Sequence, residues 1–347
     1  MRFLFLFSFL IFWATGAMAD GYQGTGQRSQ AINAQMNTVE EQHVTAEAAH
    51  QDYASLRQAA VPSTHPVVAG TASSHWLHDI FFSGQQQLDP RKVNTLEIGS
   101  APYYYLYKEP DAHVKTSGVM TEYYLNYAYR PPDGNILNNT IINTYKFEGR
   151  YALGTLDYKG SGTHRSPNYN YELRALLGKD YLLADHSLVT PYIGFGYRYL
   201  LDKGNGILTT TSSGGVYAYD RRSNYYYLPI GVSATIPYKS WTTAFNLEYD
   251  IFINGWQVSD LSDGDQFNHD NNPNIHNFQD SGYGIRGSFK LMYDTPRLDF
   301  YFEPFVRYWS IERSSLVSAT VDGSFSNQWN EPANTTLEVG SRFGLEF

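Results

Sequence analysis

The feature that most constrains this chain is a period of two in its apolar residues, which recurs in ten segments from Leu96 onward. A period of two places alternate side chains on opposite faces of a β-strand. In the segment from 241 to 254, for example, Trp241, Phe245 and Leu247 fall on one face, and Glu248 and Asp250 fall on the other. The predicted strands span residues 95–108, 117–130, 141–157, 169–181, 188–201, 224–237, 241–254, 282–294, 297–311 and 335–347. Each reaches the about 9 to 11 residues with which a tilted strand crosses a bilayer.

The connections between these segments indicate which solvent surrounds them, because a water-soluble sandwich has the same period. The connections "LADHS", "YKS" and "DTPR", after the fourth, sixth and eighth segments, are short. Those after the fifth, seventh and ninth are polar and run to roughly twenty residues, as in 258–281. Short turns at one end and long loops at the other are typical of outer-membrane barrels. We therefore predict an all-β fold, a ten-stranded antiparallel transmembrane β-barrel with an N-terminal helical segment.

Composition restricts the function further. The chain has no cysteine, which excludes disulfides and thiol chemistry, and its formal net charge of −9 argues against nucleic acid as a partner. It contains 30 Tyr, 20 Phe and 6 Trp, yet its mean hydropathy is only −0.42. Aromatic runs such as "YYYLY" (103–107) are expected mostly at the membrane–water interfaces. We expect no cofactor.

The N-terminal part of the sequence differs from the rest. Residues 1–19 combine a basic start, a short apolar run and a small-x-small ending, and they are predicted to be a signal peptide cleaved after Ala19. Residues 20–90 are predicted to form a periplasmic or lumen-plugging helical and linker segment. Within it, a weak seam at 4-3 spacing along residues 29–60 indicates a helix that could self-associate. Residues 91–347 form the predicted barrel domain.

The last predicted strand, "TTLEVGSRFGLEF", alternates strictly and ends in Phe347. With the signal peptide and the Tyr-rich strands, it resembles bacterial outer-membrane β-barrel proteins of Gram-negative cell envelopes. The resemblance implies that Phe343, Leu345 and Phe347 form the assembly signal that the barrel-assembly machinery reads. It also implies a place in the cell outer membrane, in contact with its lipid and lipopolysaccharide, with the N-terminal segment in the periplasm.

The predicted inward face carries many charges of both signs. Because a ten-stranded barrel leaves a narrow lumen, they are expected to meet as ion pairs. One interpretation is a filled polar core that blocks diffusion, and the other is a narrow channel for small solutes. These residues are Glu122, Lys146, Glu148, Arg150, Glu172, Arg174, Arg198, Glu248, Asp250, Arg286, Lys290, Glu303, Arg307, Glu338 and Arg342.

Two acidic motifs in predicted outer loops suggest a catalytic hypothesis. Asp111 and His113 follow the first strand, and Asp263 and Asp265 follow the seventh. In outline they are similar to omptins, ten-stranded surface proteases in which an Asp-x-His pair faces an Asp-x-Asp pair and activates water. Here the two pairs occur in the opposite order, and no surrounding motif matches. Solvated loop charge is the alternative interpretation.

The same loop also offers candidate metal ligands. Carboxylates of Asp260, Asp263, Asp265 and Asp270 could hold Ca²⁺, although they lack the spacing of a known calcium loop. The sequence thus favours a non-enzymatic barrel whose long loops bind an extracellular ligand and whose lumen is lined with charges. A small-solute pore is the first alternative, and an omptin-like surface protease is the second.

Overall fold

The computed structural model describes residues 92–131, 141–183, 186–212, 214–264, 272–321 and 324–347. The predicted signal peptide and the predicted helical segment at 20–90 lie outside these ranges. Within the ranges, no helix is long and apolar enough to span a membrane. Strands make up nearly all of the regular structure of this part of the chain.

Ten long strands form the barrel, four short strands are added to its sheet, and two short strands pair only with each other in the described part of the chain. The long strands are β1 (Asn94–Glu109), β2 (Val114–Tyr129), β3 (Thr144–Lys159), β4 (Thr163–Gly178), β6 (Leu188–Asp202), β9 (Arg221–Tyr238), β10 (Trp241–Ser259), β12 (Gly282–Tyr293), β13 (Asp299–Ile311) and β16 (Asn334–Glu346). The short strands of the sheet are β5 (Tyr181–Leu182), β7 (Leu208–Thr211), β8 (Gly214–Tyr217) and β11 (Ile275–Gln279), and the separate pair is β14 (Val317–Val321) and β15 (Ser324–Trp329).

The barrel closes between its last and first strands. Each long strand pairs antiparallel with the next along the chain, and β16 pairs with both β13 and β1. Beyond the last ladder pair, the Phe347 amide donates to the Leu96 carbonyl oxygen at 2.9 Å, and the Leu96 amide returns a bond of 3.2 Å. The prediction of a closed ten-stranded antiparallel barrel is confirmed.

The two ends of the barrel differ in their connections. The turn end holds the start of β1, the end of β16, the tight connections 239–240 and 294–298, and the longer connections 130–143 and 179–187. The loop end holds the long connections 203–220, 260–281 and 312–333. Two connections at the loop end are nevertheless short, at 110–113 and 160–162. The first of these contains Asp111 and His113, so this predicted loop is a tight turn, in which His113 adopts a φ of 53°.

The outward face is apolar and bounded by aromatic rows. At the turn end Trp241 packs on Tyr293 at 5.0 Å between ring centroids, and farther along Tyr249 stacks on Tyr283 at 5.9 Å. The rows are eight residues apart on β10 and ten apart on β12. At about 3.3 Å per residue and a tilt of about 40°, that separation corresponds to a height of about 20 to 25 Å. This is the height of the apolar band of a transmembrane barrel.

Many tyrosines lie inside the barrel rather than at the membrane interfaces. Tyr103, Tyr105 and Tyr107 are buried on the inward face of β1, where they form a cluster with Met120 and Phe305. The expectation that runs such as "YYYLY" lie mostly at the interfaces is wrong for this run. The period of two sends alternate rings inward, where bulky side chains fill the narrow lumen.

Candidate functional site: the barrel interior

A network of ion pairs crosses the middle of the lumen. Arg150 on β3 donates to Glu172 at 2.6 Å, to Glu338 at 3.0 Å and to Glu122 at 3.1 Å. These carboxylates come from β4, β16 and β2, so one guanidinium bridges four strands. Glu122 and Glu338 are 0 % exposed. Buried carboxylates without such partners would cost several kcal/mol each.

Two further arginines complete this central network. Arg307 donates to Glu122 at 2.7 Å and to Glu338 at 2.8 Å, from the side opposite Arg150. Arg286 donates to both oxygens of Glu172, at 2.6 and 2.9 Å. The central network therefore consists of three arginines and three glutamates from six strands: Arg150, Arg286, Arg307, Glu122, Glu172 and Glu338.

The other charged residues of the predicted inward face surround this network. Arg198 pairs with Glu338, Arg286 with Asp250, and Arg174 with both Glu148 and Glu248. Arg342 pairs with Glu122 and Glu303, and Lys290 pairs with Glu97, a lumen residue that was not predicted from the sequence. Glu97 lies on the same alternating face of β1 as Tyr103. The alternation in the sequence could therefore have assigned it to the inward face. All of the predicted residues except Lys146 have an ion-pair partner among the described residues.

An aromatic layer covers the network on its loop-end side. Tyr227 and Trp309 pack edge to face at 5.0 Å, and both are 0 % exposed. The Arg198 guanidinium lies 5.4 Å from the Trp309 ring, and the Arg286 guanidinium lies 5.2 Å from the Tyr227 ring. Cations over aromatic faces are attracted by the ring quadrupole. Network and layer together fill the cross-section of the lumen.

A second charged group, the loop-end cluster, consists of Tyr107, Glu109, Arg221, Gln257 and Glu331. One nitrogen of Arg221 donates to Glu109 and to Glu331, at 2.7 Å each. The Tyr107 hydroxyl donates to Glu109 at 2.7 Å and to Glu331 at 3.2 Å. Burial raises the pKa of Glu331 to about 7; Arg221 opposes this rise in pKa, and the Glu109 carboxylate adds to it. The sequence did not predict this cluster.

A cavity of about 230 Å³ lies between the central network and the turn end. Nine basic and six acidic side chains line it. Lys92, Arg130 and Asp294 lie at its outer rim. Burial raises the pKa of Asp294, in the turn after β12, to about 6.

The predicted catalytic and metal residues have other partners or lie outside the described residues. Asp111 pairs with Arg313 at 2.6 Å, and Asp260 pairs with Arg222 at 2.7 Å. Asp263 accepts a bond of 3.1 Å from the Asp220 amide, and burial raises its pKa. Asp265 and Asp270 lie outside the described residues. Within the described part of the chain, no group of three His, Cys, Asp or Glu residues is arranged to hold a metal ion.

This closed barrel combines three features: an apolar outer band about as tall as a bilayer core, aromatic rows at both edges of the band, and a charged interior. The fold is that of an outer-membrane β-barrel. Phe343, Leu345 and Phe347 lie on its outward face, next to β1. Their role as an assembly signal stays a prediction.

Among known proteins, similarity to this chain was found in solved structures and not in sequence. No protein-family model and no curated protein matches the sequence. The outer membrane protease OmpT of Escherichia coli is similar in structure, with 10% identity over 76% of this chain and 99% of that chain and a TM-score of 0.48. The translocator domain of the autotransporter NalP of Neisseria meningitidis has 10% identity over 74% of this chain and 88% of that chain, with a TM-score of 0.37. At these values neither neighbour carries a functional argument.

Proposed function

We propose that this chain is a non-enzymatic outer-membrane barrel that conducts no solute through its lumen and binds its partners at the loop end, outside the cell. The observation that carries the proposal is the filled cross-section. Arg198, Glu338, Tyr227 and Trp309 are all 0 % exposed, and they lie side by side across the barrel. A channel would leave some of these groups in contact with water.

The loop end supports a role in surface binding because it projects beyond the membrane. Strand β10 continues for ten residues past Tyr249, which corresponds to about 25 Å of height. There β11 pairs with it, and Trp256 stacks on Phe278 at 6.2 Å and on His276 at 6.0 Å. Trp256 and Phe278 are exposed. Exposed aromatic side chains on a rigid strand pair are suited to bind a partner.

The absence of conduction is tested in planar lipid bilayers. The intact protein is expected to show no steady conductance, whereas the double variant Tyr227→Ala/Trp309→Ala, which empties the aromatic layer, is expected to show current steps or noise. An outward-facing double variant, Phe245→Ala/Phe289→Ala, removes two packed rings from the lipid side and serves as the control. Steady conductance of the intact protein would instead support the small-solute pore.

The orientation is tested by labelling introduced cysteines, which is straightforward because the chain has none of its own. A membrane-impermeant maleimide is expected to label Ser315→Cys, in the loop-end connection, on intact cells. It is expected to label Ser240→Cys, in the turn between β9 and β10, only after the cells are broken. The reverse pattern would refute the external position of the loop end.

The surface protease remains the second alternative, and it requires Asp111 to orient His113. The ion pair of Asp111 with Arg313 competes with that role, and Asp111 and His113 share a tight turn with a hydrogen bond of 3.3 Å from the His113 amide to the Pro110 carbonyl. The described geometry therefore favours the non-enzymatic interpretation.

A further inference from the structure

The turn-end cavity contains a cation that forms no ion pair among the described residues. Lys146, the second inward-facing residue of β3, lines the cavity, and among the described residues it forms neither a hydrogen bond nor an ion pair. Its ammonium group lies 5.7 Å from the centroid of the Tyr192 ring, a contact that supplies weak attraction but no counter-charge. Glu148, Asp180 and Glu97 attract this ammonium group electrostatically, but their ion pairs are formed with Arg174, Arg130 and Lys290.

The carboxylates that line the same cavity are already engaged. Each accepts from a cation or a hydroxyl, in the pairs Glu97–Lys290, Glu148–Arg174, Glu172–Arg150, Glu303–Arg342, Glu346–Lys92 and Asp294–Thr242. The deeper carboxylates Glu122, Glu248 and Glu338 do not line the cavity, and they are bound by arginines. No carboxylate on the cavity wall is therefore left over for Lys146.

A second donor on the cavity wall is also unsatisfied. Arg150 is only 7 % exposed, and its Nη2 atom has no hydrogen-bond partner although Nε and Nη1 are bonded to Glu172, Glu122 and Glu338. A buried guanidinium N–H without an acceptor costs more than the same group with one. Lys146 and Arg150 stand four residues apart on the inward face of β3, so both carry positive charge on the same side of the cavity. The Nη2 atom of Arg150 is itself too buried to touch a ligand in the cavity, which leaves Lys146 as the accessible donor.

We propose that the turn-end cavity binds a small oxyanion such as phosphate, held by Lys146. Lysine and arginine are the side chains that recognise phosphate and carboxylate groups. The volume of about 230 Å³ is below the roughly 300 to 1,000 Å³ of pockets for drug-sized ligands, which fits a small anion. The oxyanion would enter from the turn end, because the central network and the aromatic layer fill the lumen on the other side.

Binding is measured with inorganic phosphate on the full-length protein in detergent micelles, by isothermal titration calorimetry at constant ionic strength. The intact protein is expected to bind one phosphate per barrel. Lys146→Gln is expected to weaken this binding at least tenfold, and Lys146→Arg, which keeps the charge, is expected to retain it. Lys239→Gln removes the same charge from the exposed turn between β9 and β10, and it is expected to leave binding unchanged.

A failed fold is separated from a lost site by the shift in gel mobility between unheated and boiled samples, which each variant must retain. The proposal is overturned if the intact protein binds no phosphate, or if Lys146→Gln and Lys239→Gln weaken binding equally. Neither result bears on the proposed function, which depends on conductance and on the loop end.

Discussion

The two ends of the lumen depart from charge balance in opposite directions. At the loop end, one nitrogen of Arg221 serves two buried carboxylates, Glu109 and Glu331. At the turn end, Lys146 forms no ion pair among the described residues, although six acidic side chains line the same cavity. Between the two ends, the central network matches three arginines with three glutamates. A balanced group is expected to hold the barrel together, whereas an unbalanced one is expected to take up a proton or a ligand.

The largest effect is expected from breaking the balanced group. Arg150→Ala would leave Glu122, Glu172 and Glu338 short of a donor, and removal of one partner from a buried ion pair costs about 3 to 5 kcal/mol. The free energy of unfolding, measured by urea titration in detergent micelles, is expected to fall by about that amount.

The matched control is an ion pair on the surface. Arg165 pairs with Asp157 at 3.0 Å, and their side chains are 69 % and 59 % exposed. Arg165→Ala is expected to change the free energy of unfolding by about 1 kcal/mol or less. Equal losses for Arg150→Ala and Arg165→Ala would show that the central network contributes no more than a surface pair.

A smaller effect is expected at the loop-end cluster, as a dependence on pH. The pKa of Glu331 rises on folding from its ordinary 4.5 to about 7, chiefly through burial, with Arg221, Glu109 and Tyr107 facing it. Because the folded state holds the proton more tightly, the stability of the cluster is greatest below pH 4.5 and declines until about pH 7. At about 1.4 kcal/mol per pKa unit, the total decline is on the order of 3 to 4 kcal/mol.

This decline is measured as the free energy of local opening of residues 312–333, by hydrogen exchange corrected for intrinsic rates at pH 5 and pH 8. Glu331 joins this connection to the barrel because its carboxylate accepts from Arg221 on β9 and Gln257 on β10, while its amide and carbonyl are bonded to Ser314 within the connection. Glu331→Gln is expected to remove the pH dependence, and Glu312→Gln, exposed in the same connection, is expected to keep it. A pH dependence that persists in Glu331→Gln would assign it to another group.

The sequence predicts the barrel well because its signal is local. In the segment from 241 to 254, apolar residues recur at every second position, so the outward face can be identified without knowledge of the partner strand. The same period placed Glu122, Arg150 and Glu338 on inward faces. It could not predict that these three meet, because they lie on β2, β3 and β16, and their contact depends on register and closure.

The loop-end cluster was missed for a related reason. Glu109 lies one residue beyond the predicted end of the first strand at 108, and Glu331 lies in a connection with no period, so the predicted strands gave no inward assignment for either. Arg221 begins β9, three residues before the predicted start of that strand at 224. The partners are 112 and 110 residues from Arg221 in the chain. Only the closed barrel brings them together.

The smallest effect on the free energy of unfolding is expected at the turn-end cavity, where Lys146 is a positive charge without an ion pair in the described part of the chain. Without phosphate, Lys146→Met should change the free energy of unfolding by no more than about 1 kcal/mol. The reason is that the variant breaks no ion pair and leaves no buried carboxylate without its partner. With phosphate at 100 times the dissociation constant, the intact protein should gain about 2.7 kcal/mol, since a ligand that binds only the folded state stabilises it by mass action. Lys146→Met should gain much less. Urea titrations of both proteins, with and without phosphate, measure the difference, and equal gains would place the phosphate at another site.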